Sequence, residues 1–206
     1  PGWWVCDTCN DTTGTGAGPT AFGSIQAAIN FADDGDSVLV GSGTYFENIN
    51  FRGRNILVKG QDGAEKTIID GNQAGSVVTF DNSETSASIL TGFTIQNGNA
   101  AAGYFTSGSF TNGVGGGILC NGASPILDNL IIRNNTANVG GTQGGGIFAI
   151  NGNISIQNCV VRNNSAGGGG GIWIHGSSGS IKNSIIYDNT SGSGSQNSSL
   201  CIASAS

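Results

Sequence analysis

Charge is what this chain has least of. Asp, Glu, Lys and Arg make up 10% of its 206 residues, against about 25% in an ordinary globular protein. Amphipathic helices need charged outer faces, so a helical bundle fits this composition poorly. Positive charge is scarcer still: 7 Lys and Arg against 13 Asp and Glu leave a net charge of −6. No basic field exists to neutralise phosphates, which sets nucleic acid aside as a partner. No apolar run approaches the ~18 residues of a membrane span. Met is absent, neither an initiator nor a tag remnant, which reads as a processed or natively isolated chain and equally as an excerpted one. Cys occurs five times. An odd number implies a free thiol or an intermolecular bridge outside the cell, and buried thiols in a reducing compartment.

Glycine is abundant instead, at 37 positions. Disorder is excluded by recurring β-branched clusters such as Ser37-Val38-Leu39-Val40, Ser76-Val77-Val78-Thr79-Phe80 and Ile185-Ile186-Tyr187. The second half repeats one unit three times: Gly115-Gly116-Gly117-Ile118 returns as Gly144-Gly145-Gly146-Ile147 and Gly169-Gly170-Gly171-Ile172, at spacings of 29 and 25 residues. A second signature follows each, with Asn129, Asn158 and Asn183 at the same spacings and a degenerate earlier copy at Gly92. Each unit holds short apolar strands broken by Gly, Asn or Ser. One unit cannot bury a face alone, but it can stack on an identical neighbour.

Parallel stacking of such coils predicts an all-β fold: one right-handed parallel β-helix of roughly seven coils, about 34 Å long at about 4.8 Å per coil. Sharp corners need residues that tolerate positive φ, so Gly92, Asn129, Asn158 and Asn183 read as one turn position whose amides form a ladder. Alternation then sends Phe93, Leu130, Cys159 and Ser184 inward, Thr94, Ile131, Val160 and Ile185 outward, and Gln96, Arg133, Arg162 and Tyr187 outward again. Earlier strands are predicted at 38–40, 56–58, 67–69 and 77–80. Ile25, Ala28, Ile29 and Ala32 share one stripe of a cap helix over about 24–32, with Ser24 as its cap. The domain expectation is therefore a β-helix over 21–206, preceded by an N-terminal extension, 1–20, that acts as a subunit-contact segment. The C-terminal end has no comparable helix, and an open end is an adhesive sheet edge.

Phe22-Gly23-Ser24-Ile25-Gln26-Ala27-Ala28-Ile29-Asn30, followed by Gly35-Asp36-Ser37-Val38-Leu39-Val40 and Gly43-Thr44-Tyr45, resembles the cap helix and first coil of the pectin-lyase-like β-helix superfamily, as in pectin methylesterases. The Gly-Gly-Gly-Ile and Ile-x-x-Asn repeats are similar to those of bacterial surface β-helix proteins and chlamydial polymorphic membrane proteins. The resemblance implies the fold and leaves function open, because the superfamily holds esterases, lyases, hydrolases, adhesins and plain stalks. The motifs of its enzymes are not matched by the residues of this chain. The Asp33-Asp34 pair sits at the exit of the cap helix, His175 lacks the preceding Gly of a Gly-His-Gly, and neither a Gln-Asp segment nor a Gly-Arg-Pro-Trp occurs. The expectation from these motifs is that the chain is not an enzyme, with no catalytic residue, cofactor or metal.

Other sites rest on the residues themselves. Cys6-Asp7-Thr8-Cys9 reads as a local disulfide or as one Cys bridging elsewhere, with Cys201 left at the opposite end. Cys120 and Cys159 read as small core residues. Trp3, Trp4 and Val5 at one end, and Leu200, Cys201 and Ile202 at the other, are apolar groups that something must cover, and so are subunit-contact candidates. The outer positions Arg133, Arg162 and Tyr187, with Trp173, are candidates for binding cell-surface glycans. The functional expectation is a secreted or cell-surface rod that joins head to tail with copies of itself into a fibre or sheath, or serves as a stalk or adhesin. The competing reading is a carbohydrate-binding or polysaccharide-degrading module.

Overall fold

A computed structural model describes residues 1–12, 14, 20–100, 106–107, 110–111, 113–137, 143–192 and 199–203. Its strands fall into three long parallel ladders. The first sheet stacks β1 (Gly2–Val5), β2 (Ser37–Val40), β5 (Leu57–Gly60), β8 (Ile89–Thr91), β13 (Ile126–Asp128), β17 (Ser155–Gln157) and β21 (Ser180–Lys182). The second stacks β3 (Gly43–Phe46), β6 (Thr67–Asp70), β9 (Thr94–Gln96), β14 (Ile131–Arg133), β18 (Val160–Arg162) and β22 (Ile185–Tyr187). The third stacks β4 (Ile49–Asn50), β7 (Val78–Phe80), β12 (Ile118–Asn121), β16 (Ile147–Ile150), β20 (Ile172–His175) and β24 (Leu200–Ala203). A short ladder of β15 (Thr136–Ala137), β19 (Ser165–Ala166) and β23 (Thr190–Ser191) fills one corner, and β10 (Thr106–Ser107) with β11 (Phe110–Thr111) forms a separate antiparallel pair. Each turn of chain visits the sheets in order, so every strand pairs with its counterpart one coil away.

The corners follow from backbone sterics. Gly92 takes φ +80°, and Asn129, Asn158 and Asn183 take +49°, +54° and +49°. L-residues other than Asn and Asp pay for this region, which is why the corner repeats in the sequence. Along the side chains of that column, Asn158 Nδ2 donates to Asp128 Oδ1 at 2.8 Å and Asn183 Nδ2 to Asn158 Oδ1 at 3.5 Å. A continuous asparagine ladder lies instead one strand further on. Asn135, Asn164 and Asn189 are buried. Asn135 Nδ2 and its backbone N–H both donate to Asn164 Oδ1 at 3.0 Å, and Asn164 repeats both bonds to Asn189 Oδ1 at 3.0 Å. The remaining amide protons reach backbone carbonyls of Ile95, Ile132 and Val161. This ladder explains the triple glycines. The first of each, such as Gly144, takes a positive φ. The third has no room for a side chain: a Cβ on Gly146 would meet Gly171 O at 2.5 Å and Asn164 Nδ2 at 3.0 Å.

Inside the coils, aliphatic columns run the length of the rod, among them Leu90, Leu127 and Ile156 from the first sheet and Ile69, Ile95, Ile132 and Val161 from the second, all 0% exposed. Each such side chain contributes about 1.5–3 kcal/mol of burial. Cys120 and Cys159 are buried among them, and burial pushes both thiols up, Cys159 to about 11. The outward column of the second sheet departs from simple alternation at Thr94. The turn at 61–66 folds over it, so Thr94 is buried and its hydroxyl donates to Ala64 O at 2.7 Å.

Candidate functional site

The N-terminal end is sealed. Helix α1 (Ile25–Phe31) lies across it, with Ser24 Oγ accepting from Ala27 N–H, and Ile25, Ala28 and Ile29 fully buried. Gln26 stands in for a missing strand beside β4: its Oε1 accepts from Asn50 N–H at 2.7 Å and its Nε2 donates to Asn50 O at 3.2 Å. Glu47 accepts from Ile25 and Gln26 N–H groups; burial raises its pKa, with Asp11 adding to the rise. The first residues belong to this end as the outermost strand of the first sheet, β1, paired in register with β2. There Val5 is buried, and Trp3 donates through Nε1 to Asp36 Oδ2 at 2.7 Å and meets Phe31 edge-on at 5.1 Å. Trp4 faces out and is 44% exposed. Cys6 and Cys9 are bonded to each other.

At the C-terminal end no described residue covers the last coil. Ile181 on β21, Ile186 on β22 and Leu200 on β24 continue the inward columns, yet they are only partly buried. Ile202 pairs in register with Ile174 and is 66% exposed. Leu200, Cys201 and Ile202 thus form the last strand of the third sheet. Cys201 faces out against a second apolar cluster and forms no disulfide within the chain. The sequence singled out the two termini but missed Phe31 and Phe46. Among the described residues, the large hydrophobics that remain exposed are Trp4, Phe31 and Phe46, at the sealed end, and Ile185, Tyr187 and Ile202, on the last coil. Among the described residues none lies on the coils between.

A third feature runs along the flank of the second sheet. Arg133 pairs in register with Gln96 on one side and Arg162 on the other, and Arg162 pairs with Tyr187. Gln96 Oε1 accepts from Arg133 Nε and Nη2 at 3.1 and 2.9 Å, while Gln96 Nε2 donates to Asp70 Oδ2 at 2.9 Å. Trp173 does not join this row. It sits on β20 in the third sheet, packed with Val114, Leu119, Phe148 and Ile150 and only 9% exposed. Placing it with the arginines is corrected by the coil geometry: Trp173 faces away from a different side of the triangular section. His175 stands two residues further along β20, and among the described residues no group of three His, Cys, Asp or Glu is placed to hold a metal.

No family model matches the chain, and no curated protein matches it in sequence. Solved structures do. A pectin methylesterase mutant in complex with a hexasaccharide superposes with a TM-score of 0.54 at 16% identity, over 99% of this chain and 66% of that one. A pectin methylesterase in complex with another hexasaccharide gives 0.53 at 15% over the same shares, and the deglycosylated enzyme from Aspergillus niger gives 0.51 at 13%, over 99% and 67%. The chain therefore spans about two thirds of the length of the structures it resembles. It has their fold, the right-handed parallel β-helix of the pectin-lyase-like kind, and identities this low carry the fold alone. The expectation that the chain is not an enzyme is corrected by the same matches. The proteins that share its architecture are enzymes, so missing motifs do not set catalysis aside.

Proposed function

We propose that this β-helix works as an extracellular rod that associates head to tail with copies of itself. The carrying observation is the segregation of exposed hydrophobics among the described residues: Trp4, Phe31 and Phe46 at one end, Ile185, Tyr187 and Ile202 at the other. Scattered exposed apolar side chains are ordinary, whereas patches confined to two opposite ends mark contact surfaces. The two patches differ, aromatic at one end and mainly aliphatic at the other. A copy that joins through them leaves a free end of each kind, and a contact that does not close on itself propagates. The unpaired edges of β21, β22 and β24 add backbone groups for such a junction. The Cys6–Cys9 disulfide supports an oxidising, extracellular setting.

Sedimentation velocity over a range of concentrations tests this reading. The weight-average mass of the wild-type chain rises with concentration, and Ile202→Glu, which places a charge in the contact, sediments as a single rod. A wild-type chain that stays a single rod at every concentration would sink the proposal.

A further inference from the structure

The outer face of the second sheet is divided along the rod. Toward the sealed end the turn at 61–66 folds over Thr94, whose hydroxyl donates to Ala64 O at 2.7 Å. The turn forms a ridge on the sheet, with Asp62, Glu65 and Lys66 exposed on it. Toward the last coil the face drops into a trough of about 470 Å³, bounded at one end by this turn and floored by the half-buried Ile131 and Val160. Two residues further along the same strands stand Arg133 and Arg162, in register. Charge is divided in the same way, acidic on the ridge and basic beside the floor. Little within the chain neutralises either side. Among the described residues Asp62 accepts one hydrogen bond, from Ser42 N–H at 3.3 Å, and Arg133 is oriented by neutral Gln96. Glu65 and the Arg162 guanidinium have no hydrogen-bond or ion-pair partner there, the ion pairs being Pro1 with Asp36 and Arg54 with Asp33.

A ridge beside a trough, with opposite charges on the two, is complementary to a second copy of itself turned end for end. We propose that filaments of this chain pair side by side and antiparallel through this face, each rod seating its 61–66 turn in the trough of the rod opposite. A two-fold axis through Ile131, parallel to the strands, lays Ile131 on its own counterpart and the turn on Val160 of the other copy. Asp62 and Glu65 then come beside Arg162 of that copy. A parallel alignment would set ridge on ridge and arginine on arginine, like charge opposite like, so the charges select the antiparallel one. Pairing rests on head-to-tail association, because one rod offers too little surface. Strand dimensions give this face about 300 Å² per rod, so a pair of rods buries about 600 Å², against the ~1,200 Å² of a stable complex. Single rods therefore stay apart. A filament repeats the face at every rod, and each further contact forms between chains that are already joined.

Filament width in electron micrographs of the full chain, at low salt and at about 1 M salt, tests this. Wild-type filaments are two rods wide at low salt and separate into single filaments at high salt. Arg162→Glu gives single filaments at low salt, because it sets a carboxylate against the acidic turn. Adding Glu65→Arg to that variant reverses both sides of the contact and restores the paired width. Filament formation itself reports that each variant is folded. Wild-type filaments that remain single overturn pairing and leave head-to-tail association standing, whereas a chain that forms no filaments overturns both. Paired width that persists in Arg162→Glu, or that fails to return in the double variant, also overturns pairing.

Discussion

Ile174 and Ile202 are register partners on β20 and β24 and point into the same apolar column, yet Ile174 is 2% exposed and Ile202 66%. One coil of cover is the whole difference between them. At the other end the corresponding cover is present, because α1 lies over the first coil and leaves Ile25 and Ile29 at 0%. Among the described residues the two ends therefore differ: α1 covers the first coil and nothing covers the last. A second copy seated on the last coil would complete the burial that Ile181, Ile186, Leu200 and Ile202 lack.

Directional association predicts a complementation result. Ile202→Glu blocks the open end, and Phe46→Asp blocks the sealed end, where Phe46 is 70% exposed. Both positions are exposed, so folding stability changes by less than about 0.5 kcal/mol. Each variant alone sediments as a single rod, and an equimolar mixture forms two-rod species and nothing longer. Larger species in the mixture, or association of either variant alone, contradicts a head-to-tail contact.

Asn164→Ala removes a rung from the buried ladder. Asn135 N–H and Nδ2 lose their acceptor and Ile132 O loses its donor, which costs about 2–5 kcal/mol. The exposed neighbour Asn163 holds a positive φ of +55°, so Asn163→Ala costs about 1–2 kcal/mol and Asn163→Gly much less. Urea unfolding of the three variants separates a hydrogen-bonding role from a conformational one.

Gly146→Ala places a methyl group 2.5 Å from Gly171 O. The coil must shift to admit it, at a cost of about 1–3 kcal/mol. Alanine at Gly122, which has φ +65° and open space around it, pays only for the backbone. Thermal unfolding ranks Gly146→Ala as the more destabilised of the two.

Acid sensitivity should trace to Asp36. The Pro1 ammonium first, then the Trp3 indole and the Asp33 amide, hold its carboxyl at about 2, against the opposing effect of burial. A carboxylate with a lowered folded pKa contributes stability that is complete above its unfolded value of 3.8 and is lost as pH falls toward 2. Asp36→Asn lowers stability at neutral pH and flattens the pH dependence in that window, as urea midpoints between pH 2 and 5 will show. An unchanged profile in the variant assigns the acid sensitivity elsewhere.

The regular half of the fold was legible because its corners demand Asn or Gly and its columns demand aliphatics, so the repeat in the residues is the repeat in the coils. Ser24 and the stripe of Ile25, Ala28, Ile29 and Ala32 marked the cap helix for the same local reasons. What escaped the sequence depended on distant contacts. Gly2–Val5 became a strand because β2 offered it an edge, which no local alternation signals. In each Asn-Asn pair nothing local says which amide turns inward, so the ladder at Asn135, Asn164 and Asn189 was hidden beside the more obvious corner at Asn129. Thr94 is covered by a turn some 30 residues earlier in the chain, and Trp173 faces outward from a different sheet than Arg133 and Arg162. Those placements are set by coil stacking rather than by neighbours in sequence.

Negative-stain electron microscopy of the concentrated chain at neutral pH, with and without reductant, tests the central claim most directly. The account predicts filaments whose axial repeat is one rod, about 34 Å of stacked coils plus the cap. They persist in reductant, because Cys6 and Cys9 are bonded to each other rather than across the junction. Isolated short rods under both conditions would contradict it.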